Sequence, residues 1–403
     1  MVSAKWSCSL AAAGASLLVS SSPLDHRQTR SDYTANALSG IKALQGWYDK
    51  PTGLWNTSGW WNSANCLTVL ADWALMDQTG AASLDVSSTM STTFTNAQKT
   101  DILTHKSLSA TGQIMSTYTI QKRSGNDLEP RGFSGFLNDF YDDEGWWALG
   151  FIRSWDLTRD QRYLDMAESI FADMKNGTDS VCGGGIWWSK ERRYKNAIAN
   201  ELYLSVAASL ANRVNGPGKK DYYLQIARDE WAWFKGSGMI NSQSLVNDGL
   251  LILENGTCVN NGMPTWSYNQ GVVLGGLVEL SKAAGDASYM NEASRIAKAA
   301  VAMLTDAQGI IRETDRCEPN CGADGSQFKG IFVRNLHYLH KAQRDESFRS
   351  AMLKNADSIW ANNRNGNNQL GIHWAGPANL NGGPNATTHT SAMDVLVGAM
   401  AAS

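Results

Sequence analysis

The chain has 403 residues, of which 43% are hydrophobic, and its formal net charge is -3 at pH 7. A chain of this length can bury a large core, either as two domains or as one repetitive domain. The weak negative charge argues against nucleic acid or an anionic membrane surface as a partner. The 37 glycines against 8 prolines favour helices joined by glycine-rich loops.

The first 22 residues have the features of a secretory signal peptide. Lys5 supplies the positive charge, Leu10 to Val19 form a short apolar segment, and small serines follow it. The segment is too short to span a bilayer. At the other end, Ser391 to Met400 is predicted to be a last core helix and not a lipid-anchor signal. We therefore expect a secreted, monomeric protein whose mature domain covers residues 23–403, with no membrane span.

Asparagine and cysteine patterns agree with export. Four Asn-X-Ser/Thr sequons are predicted glycosylation sites, at Asn56, Asn176, Asn255 and Asn385. Cys8 leaves with the signal peptide, so five cysteines remain and at least one thiol stays unpaired. Cys317 and Cys321 are close enough to bridge, whereas Cys66 lies in an apolar helical pattern and is predicted to be a buried free thiol.

No metal or cofactor is expected. The two close cysteines have no matching histidine pair, as a zinc site would need. Four histidines show neither metal spacing nor a companion nucleophile and are predicted to be structural: His337, His340, His373 and His389.

The next feature is a repeated helical unit. Apolar residues recur at helical spacing and alternating strands are scarce. Helices rich in small residues are predicted to begin near Asn62, Glu144, Asn196, Asn269, Phe328 and Thr390. Three of the helices that follow open with an acid before an aromatic, at Asp160, Asp221 and Asp286, which favours capping. Six repeats predict one all-α domain, a closed toroid of paired helices whose loops gather at one mouth.

Asp142 and Asp143 lie in a run of acids surrounded by aromatic rings, from Asn138 to Trp147. Acids this close repel unless one is protonated, which suggests acid/base chemistry, and aromatic rings stack on sugars. The alternative is an ordinary acidic helix N-terminus. Neighbouring helical residues point about 100° apart, so the two carboxyl groups converge only where a loop turns into a helix.

Other candidates have an equal or stronger structural alternative. The Trp60-Trp61 and Trp187-Trp188 pairs, with Trp266 and Tyr268, are either sugar platforms or core residues. The polar pairs Lys195-Asn196 and Asn269-Gln270 either bind hydroxyl groups or cap helices. Asp72 lies in an apolar stretch and is either a paired buried acid or a ligand contact.

Four motifs in this order resemble glycoside hydrolase family 76. They are Asp142-Asp143 with Trp146-Trp147, Gly183-Gly184-Gly185-Ile186-Trp187-Trp188 with Lys195-Asn196-Ala197, Tyr268-Asn269-Gln270-Gly271, and Phe328-Lys329-Gly330-Ile331. The resemblance implies an (α/α)6 barrel and retaining endo-α-1,6-mannanase activity on mannan of the fungal type. It also implies Asp142 as the nucleophile and Asp143 as the acid/base.

The resemblance and the candidates above together give a set of predicted substrate-binding residues. They are Trp61, Asn65, Asp72, Trp146, Trp147, Trp187, Trp188, Lys195, Asn196, Tyr268, Asn269, Gln270 and Lys329. The predicted partner is α-mannan or a mannose-containing oligosaccharide. A transglycosidase of the fungal wall, with a sugar acceptor in place of water, is the second hypothesis. A mannan-binding protein without catalysis is the third, and the retention of both aspartates counts against it.

Overall fold

The structure is a computed structural model that describes Met1 and residues 28–108, 114–122, 135–380 and 382–403. The predicted signal peptide, apart from Met1, lies outside the described residues. The helices are α1 (Arg30–Gln45), α2 (Trp60–Ala74), α3 (Gln78–Ser83), α4 (Val86–Asn96), α5 (Tyr141–Thr158), α6 (Gln161–Lys175), α7 (Ala197–Ala211), α8 (Lys219–Gly236), α9 (Ser267–Ala284), α10 (Ser288–Leu304), α11 (Gly322–Ala342), α12 (Glu346–Asn362) and α13 (Ala386–Ala402).

Six of these helices form a closed inner ring. Helices α2, α5, α7, α9, α11 and α13 each pack on the next, and α13 returns to pack on α2. Helices α1, α6, α8, α10 and α12 lie outside, and the short α3 and α4 together take the sixth outer place. The predicted all-α (α/α)6 barrel is confirmed, and the six predicted inner helices are those of the ring.

Small residues let the inner helices approach each other closely, as the sequence predicts. A Cβ atom at Gly330 would lie 2.4 Å from the Cα atom of Ser391 on α13. A Cβ atom at Gly271 would lie 2.6 Å from the Cα atom of Phe332 on α11. Every residue of α7 is buried, whereas α6 buries only one face. The inner ring is therefore the core of the molecule.

The three predicted capping acids occupy different positions at the starts of the outer helices. Asp160 is the N-cap of α6, where its side chain accepts a hydrogen bond from the Arg162 amide. Asp286 accepts from the Ser288 amide at the start of α10. Asp221 instead lies inside the first turn of α8, whose N-cap is Gly218. That position still favours an acid, because it faces the positive end of the helix dipole.

The cysteines fall into two disulfides and one thiol. Cys317 and Cys321 are bonded, as predicted, and Cys182 is bonded to Cys258 across 76 residues. Cys66 is a buried free thiol that shares a hydrogen bond with the Thr390 hydroxyl. The second disulfide joins the glycine-rich loop before α7 to the strand Cys258–Asn260.

In addition to the helices, the described residues form three two-stranded antiparallel sheets. They pair β1 (Tyr48–Asp49) with β2 (Leu54–Trp55), β3 (Thr100–Leu108) with β4 (Ile114–Lys122), and β5 (Leu250–Ile252) with β6 (Cys258–Asn260). The long β3–β4 hairpin is absent from the sequence-based prediction, which expects scarce strands. No helix in the described part of the chain is long and apolar enough to cross a membrane.

Candidate active site

The N-terminal ends of the inner helices meet at one end of the barrel. Trp61 in the first turn of α2 stacks on Trp146 in the first two turns of α5, with ring centroids 5.4 Å apart. Trp61 also faces Phe328 of α11 at 6.4 Å, and Phe328 stacks on Tyr268 of α9 at 3.8 Å. This aromatic arc crosses four helices and forms one wall of the mouth.

Asp142 and Asp143 lie in the first turn of α5 at this mouth. The turn follows Phe140, which is the N-cap but offers no side-chain cap. The Tyr141 amide donates to the Trp188 carbonyl at 3.0 Å, so the tryptophan loop fixes the start of the helix. Asp142 is 4% exposed and Asp143 is fully buried. The positive end of the helix dipole favours a carboxylate here.

One ammonium group bridges the two carboxyl groups. Lys106 Nζ lies 3.2 Å from Asp142 Oδ2 and 2.5 Å from Asp143 Oδ1. Those two oxygens can be no farther apart than the two distances laid end to end, which is under about 6 Å. The ammonium also lies 4.7 Å from the ring centroid of Phe140 and 5.7 Å from that of Trp188.

Asn138 holds the second oxygen of Asp143. Its Nδ2 donates to Asp143 Oδ2 at 2.6 Å, and its own Oδ1 accepts from the Phe140 amide at 2.8 Å. Burial raises the pKa of Asp143 to about 7, with Lys106 lowering it and Asp142 raising it. A carboxyl group that titrates near neutral pH can donate and accept a proton, which is the requirement for an acid/base.

Buried polar groups lie close to the pair, in the loop before β5 and on α7 and α9. The pKa of Asp248 is raised to about 7, mainly by burial and in part by the neighbouring Asp142, with the hydrogen bond from Tyr194 lowering it. The Tyr194 hydroxyl donates to Asp248 Oδ2 at 2.5 Å. Among the described residues, no hydrogen-bond partner is found for Asp248 Oδ1, the Tyr268 hydroxyl or either carboxyl oxygen of Glu201. Buried polar atoms without partners are costly, so these atoms are candidates for contact with a polar ligand or water.

The structure brings together part of the predicted substrate-binding set. Trp61, Trp146, Trp188 and Tyr268 lie at the mouth, as the contacts above show. Asn269 lies beside Asp248, where it lowers the pKa of that carboxyl group. All of these residues remain candidate sugar contacts.

Three predicted residues instead hold loops in place. Lys195 Nζ bonds Asp179 and the carbonyl groups of residues 181, 184 and 185, so it organises the glycine-rich loop. The Gln270 amide bonds both backbone groups of Val246. Lys329 Nζ contacts Glu318 at 2.6 Å and the carbonyl of Ile372. Because these ammonium and amide groups already have partners in the protein, we expect them to form few direct hydrogen bonds with a sugar.

Asn196 and Trp187 lie near the mouth but have structural partners. Asn196 is the N-cap of α7 and accepts from the Ala199 amide, in line with the capping alternative. Trp187 Nε1 donates to Asp179 Oδ2 at 2.6 Å. The Nδ2 atom of Asn196 has no partner within the described part of the chain.

Three more predicted residues have partners within the protein. Asp72 pairs with Arg153 at 2.5 Å near the C-terminal end of α2, which fits the alternative of a paired buried acid. Asn65 accepts a hydrogen bond from Arg334. Trp147 packs in the core against Phe136, with centroids 4.8 Å apart.

The predicted glycosylation sites differ in exposure. Asn56, Asn176 and Asn255 are exposed, as a glycan acceptor must be. Asn385 is half-buried and caps α13, where its Oδ1 accepts from the Thr388 amide. In the described ranges, no group of three or more His, Cys, Asp or Glu side chains could hold a metal ion.

Sequence reasoning missed Lys106, Asn138, Asp248 and Glu201. Lys106 precedes Asp142 by 36 residues and reaches it on a hairpin that the apolar pattern does not reveal. Asn138 stands inside the run already singled out, and its position just before the helix was the available signal. Asp248 has no neighbouring motif, and Glu201 follows Lys195-Asn196-Ala197 inside a fully buried helix whose sequence is typical of a core. Only the closed ring brings both acids near the pair.

The chain matches a family model and several known proteins. Residues 32–403 match the model for glycosyl hydrolase family 76. Mannan endo-1,6-alpha-mannosidase DCW1 of Candida albicans is 29% identical over 212 residues, which are 48% of this chain and 46% of that protein. DCW1 of Saccharomyces cerevisiae is 27% identical over 239 residues, 56% of this chain and 51% of that protein. The chain spans about half the length of these relatives.

Solved structures share the fold. An inactive variant of the α-1,6-mannanase GH76A of Salegentibacter sp. HEL1_6, in complex with α-1,6-mannotriose, matches with a TM-score of 0.73 and 23% identity, over 92% of this chain and 100% of that one. Dfg5 of Chaetomium thermophilum, in complex with glucosamine, matches with a TM-score of 0.70 and 16% identity, over 93% and 92%. Because the family model covers nearly the whole chain, the protein belongs to glycosyl hydrolase family 76.

Proposed function

We propose that the protein is a secreted endo-α-1,6-mannanase that cleaves the α-1,6-linked backbone of mannan with retention of configuration. The observation that carries the proposal is the close approach of Asp142 and Asp143 around one ammonium group. Retaining glycosidases hold their two carboxyl groups about 5–5.5 Å apart, whereas inverting enzymes leave room for a water at about 6.5–9.5 Å.

The two aspartates take different roles in this proposal. Asp142 attacks the anomeric carbon while Asp143 protonates the leaving oxygen, so the glycosidic bond breaks as a glycosyl ester forms. Asp143 then takes a proton from water, whose oxygen attacks the same carbon and releases Asp142. The raised pKa of Asp143 supports its assignment as the acid. Both steps use only the two carboxyl groups and water.

Known proteins support the substrate. The fungal relatives are named mannan endo-1,6-alpha-mannosidases, and the Salegentibacter enzyme binds α-1,6-mannotriose. That enzyme was made inactive by replacing two consecutive aspartates, which is the same pattern as Asp142-Asp143. The aromatic arc at the mouth supplies rings of the kind that stack on sugars.

The test is the release of reducing ends from linear α-1,6-mannan by the wild-type protein and two variants. Asp142→Asn and Asp143→Asn should each lower kcat/KM by roughly 10²–10⁴-fold, because each removes one partner of the double displacement. Asp139→Asn is the matched control, since Asp139 stands in the same acidic run but is exposed. If both variants retained near-wild-type turnover, the assignment would be wrong.

Product analysis separates hydrolysis from sugar transfer. With short α-1,6-mannan fragments as the only substrate, hydrolysis yields only shorter chains, whereas a transglycosidase also makes longer ones. We expect shorter chains.

A further inference from the structure

All four oxygens of the Asp142–Asp143 pair are engaged. Lys106 Nζ lies 3.3 Å and 3.2 Å from the two oxygens of Asp142 and 2.5 Å from Oδ1 of Asp143. Asn138 holds Oδ2 of Asp143. In the proposed reaction, one aspartate must touch the anomeric carbon and the other the glycosidic oxygen bonded to it. The ammonium group therefore stands where the reacting bond has to lie.

The aromatic residues around the pair are covered as well. The Lys106 side chain is 2% exposed, and Trp61, Trp146 and Trp188 are at most 8% exposed. A sugar ring needs an open aromatic face on which to stack. In this structure, Lys106 and the aromatic side chains therefore block the access of a sugar to Asp142 and Asp143.

Lys106 belongs to an element outside the helical ring. It lies on β3, which pairs with β4 in a two-stranded sheet. The hairpin has a second attachment at the mouth, where Ser116 of β4 donates to Asp324 Oδ2 of α11 at 2.5 Å. Asp324 also accepts from Trp61 Nε1, so this attachment adjoins the aromatic arc. Both named attachments are side-chain contacts, whereas the backbone ladder of the hairpin joins only β3 and β4 to each other.

We propose that Lys106 is a positioning residue that plugs the active site, holds Asp142 and Asp143 in a resting ion pair, and is displaced by the substrate. This inference rests on the proposed function. The sugar takes the place of the ammonium group, so binding and release of Lys106 are one exchange. The apparent affinity for mannan is then the intrinsic affinity multiplied by the fraction of free molecules in which Lys106 is withdrawn.

Displacement also prepares Asp143 for its role as an acid. Lys106 lowers the pKa of Asp143, so its departure favours the protonated carboxyl group. Within the described part of the chain, the other acids that interact with Asp143 or its neighbours are Asp142 on the same helix, Asp324 on α11, which faces Lys106, and Asp248, which faces Asp142. Those three are acids, and acids also favour a proton on Asp143.

The first test compares wild type with Lys106→Met, which keeps the length of the side chain and removes its charge. KM for α-1,6-mannan should fall about tenfold if the withdrawn form is roughly one tenth of the free enzyme, with kcat changed less than about twofold. The basic limb of kcat/KM, which reports the free enzyme, should move to higher pH, while that of kcat stays in place. A loss of kcat, or an unchanged KM and pH profile, would overturn the proposal.

Two further variants guard against a misfolded Lys106→Met protein. Ser116→Ala removes the second attachment without touching the pair, and should lower KM in the same direction by a smaller factor. Ser107→Ala, at an exposed position on the same strand, should change nothing. If Ser116→Ala and Ser107→Ala behaved alike, the hairpin would not be the gate.

A chemical measurement separates this proposal from the proposed function. Acylation of lysine amines, followed by mass spectrometry, should show Lys106 protected in the free wild-type protein and reactive in an Asp142→Asn, Asp143→Asn double variant without any sugar. Protection in both proteins would overturn the plug even if mannan is cleaved. If Lys106 were reactive in the double variant only and wild type did not cleave mannan, the proposed function would be refuted. The ion pair of Lys106 with Asp142 and Asp143 would still be supported.

Discussion

The two ends of the inner ring both carry acids, but these acids are balanced in different ways. Near the C-terminal ends of α5, α7 and α9, a cavity of about 480 Å³ is lined by Arg153, Asp156, Arg213 and Glu279. Arg213 lies 2.9 Å from both Asp156 and Glu279, and Arg153 lies 2.8 Å from Asp156. At the mouth, Asp142 and Asp143 share a single lysine that arrives on a hairpin.

This difference separates acids that hold the ring together from acids that are available for chemistry. Burial alone would raise the pKa of Asp156, but hydrogen bonds from Arg213 and Arg153 lower it overall. At the mouth, burial raises the pKa of Asp143 and of Asp248 to about 7. Asp156, with two arginines, therefore stays ionised at neutral pH, whereas Asp143 and Asp248, which have no arginine partner among the described residues, can exchange a proton there. Asp394, with Arg334 alone, lies between them, because burial raises its pKa to about 6.

The largest expected effect on stability comes from breaking a paired acid of the ring. Asp394 on α13 accepts two hydrogen bonds of 2.8 Å from Arg334 on α11, and both residues are buried. Asp394→Ala should lower the free energy of unfolding by about 3–5 kcal/mol, because it leaves a buried guanidinium unpaired. Chemical denaturation measures this loss, and a change below 1 kcal/mol would contradict the account.

Asp248→Asn is the matched substitution at the mouth. Asp248 is as buried as Asp394, but its described partners include the Tyr194 hydroxyl and no arginine. The neutral amide can still accept from Tyr194, and it removes a buried charge at alkaline pH. The melting temperature at pH 8 should therefore not fall below that of wild type. If Asp248→Asn destabilised the protein as much as Asp394→Ala, the acids at the two ends of the ring would not differ in their contribution to stability.

A smaller effect concerns the pH dependence of stability. Burial raises the pKa of Glu230 to about 8, with Lys195 lowering it. The folded protein thus keeps this proton up to about pH 8, whereas the unfolded chain releases it near 4.3. The folded state binds more protons across that range, so stability falls as pH rises, and the cost is complete above pH 8.

Comparison of wild type with Glu230→Gln between pH 6.5 and 8 isolates this contribution. Burial lowers the pKa of His337 and His389 to about 4, so both are neutral in the folded protein here, and their titration near pH 6.5 in the unfolded chain is the same for both proteins. Wild type should lose a few degrees of melting temperature between pH 6.5 and 8, and Glu230→Gln should lose less. Equal slopes for both proteins would show that Glu230 is already ionised at pH 6.5.

Features encoded in short stretches of sequence could be predicted. The six inner helices follow from runs of small residues that a closely packed ring requires, as Gly330 against Ser391 shows. Asp142 and Asp143 could be singled out because acids and aromatic rings stand side by side. The buried thiol of Cys66 and the Cys317–Cys321 disulfide also follow from local pattern.

Features that depend on distant pairing could not be predicted. Whether an acid in an apolar stretch binds sugar or an arginine depends on a helix elsewhere in the chain, and Asp72 has Arg153 as its partner. Lys195 and Lys329 stand beside family motifs, yet their ammonium groups hold loops. Lys106 could not be found because it is 36 residues from Asp142 in sequence, and only the hairpin brings it to the pair.

In the proposed function, Asp142 and Asp143 act together by double displacement at the mouth of the barrel. Proton NMR of the first products from linear α-1,6-mannan tests it most directly, because the anomeric configuration is recorded before mutarotation. New reducing ends should appear in the α configuration with wild type and should not appear with Asp142→Asn. New ends in the β configuration would contradict it, because inversion requires a water between carboxyl groups that are farther apart.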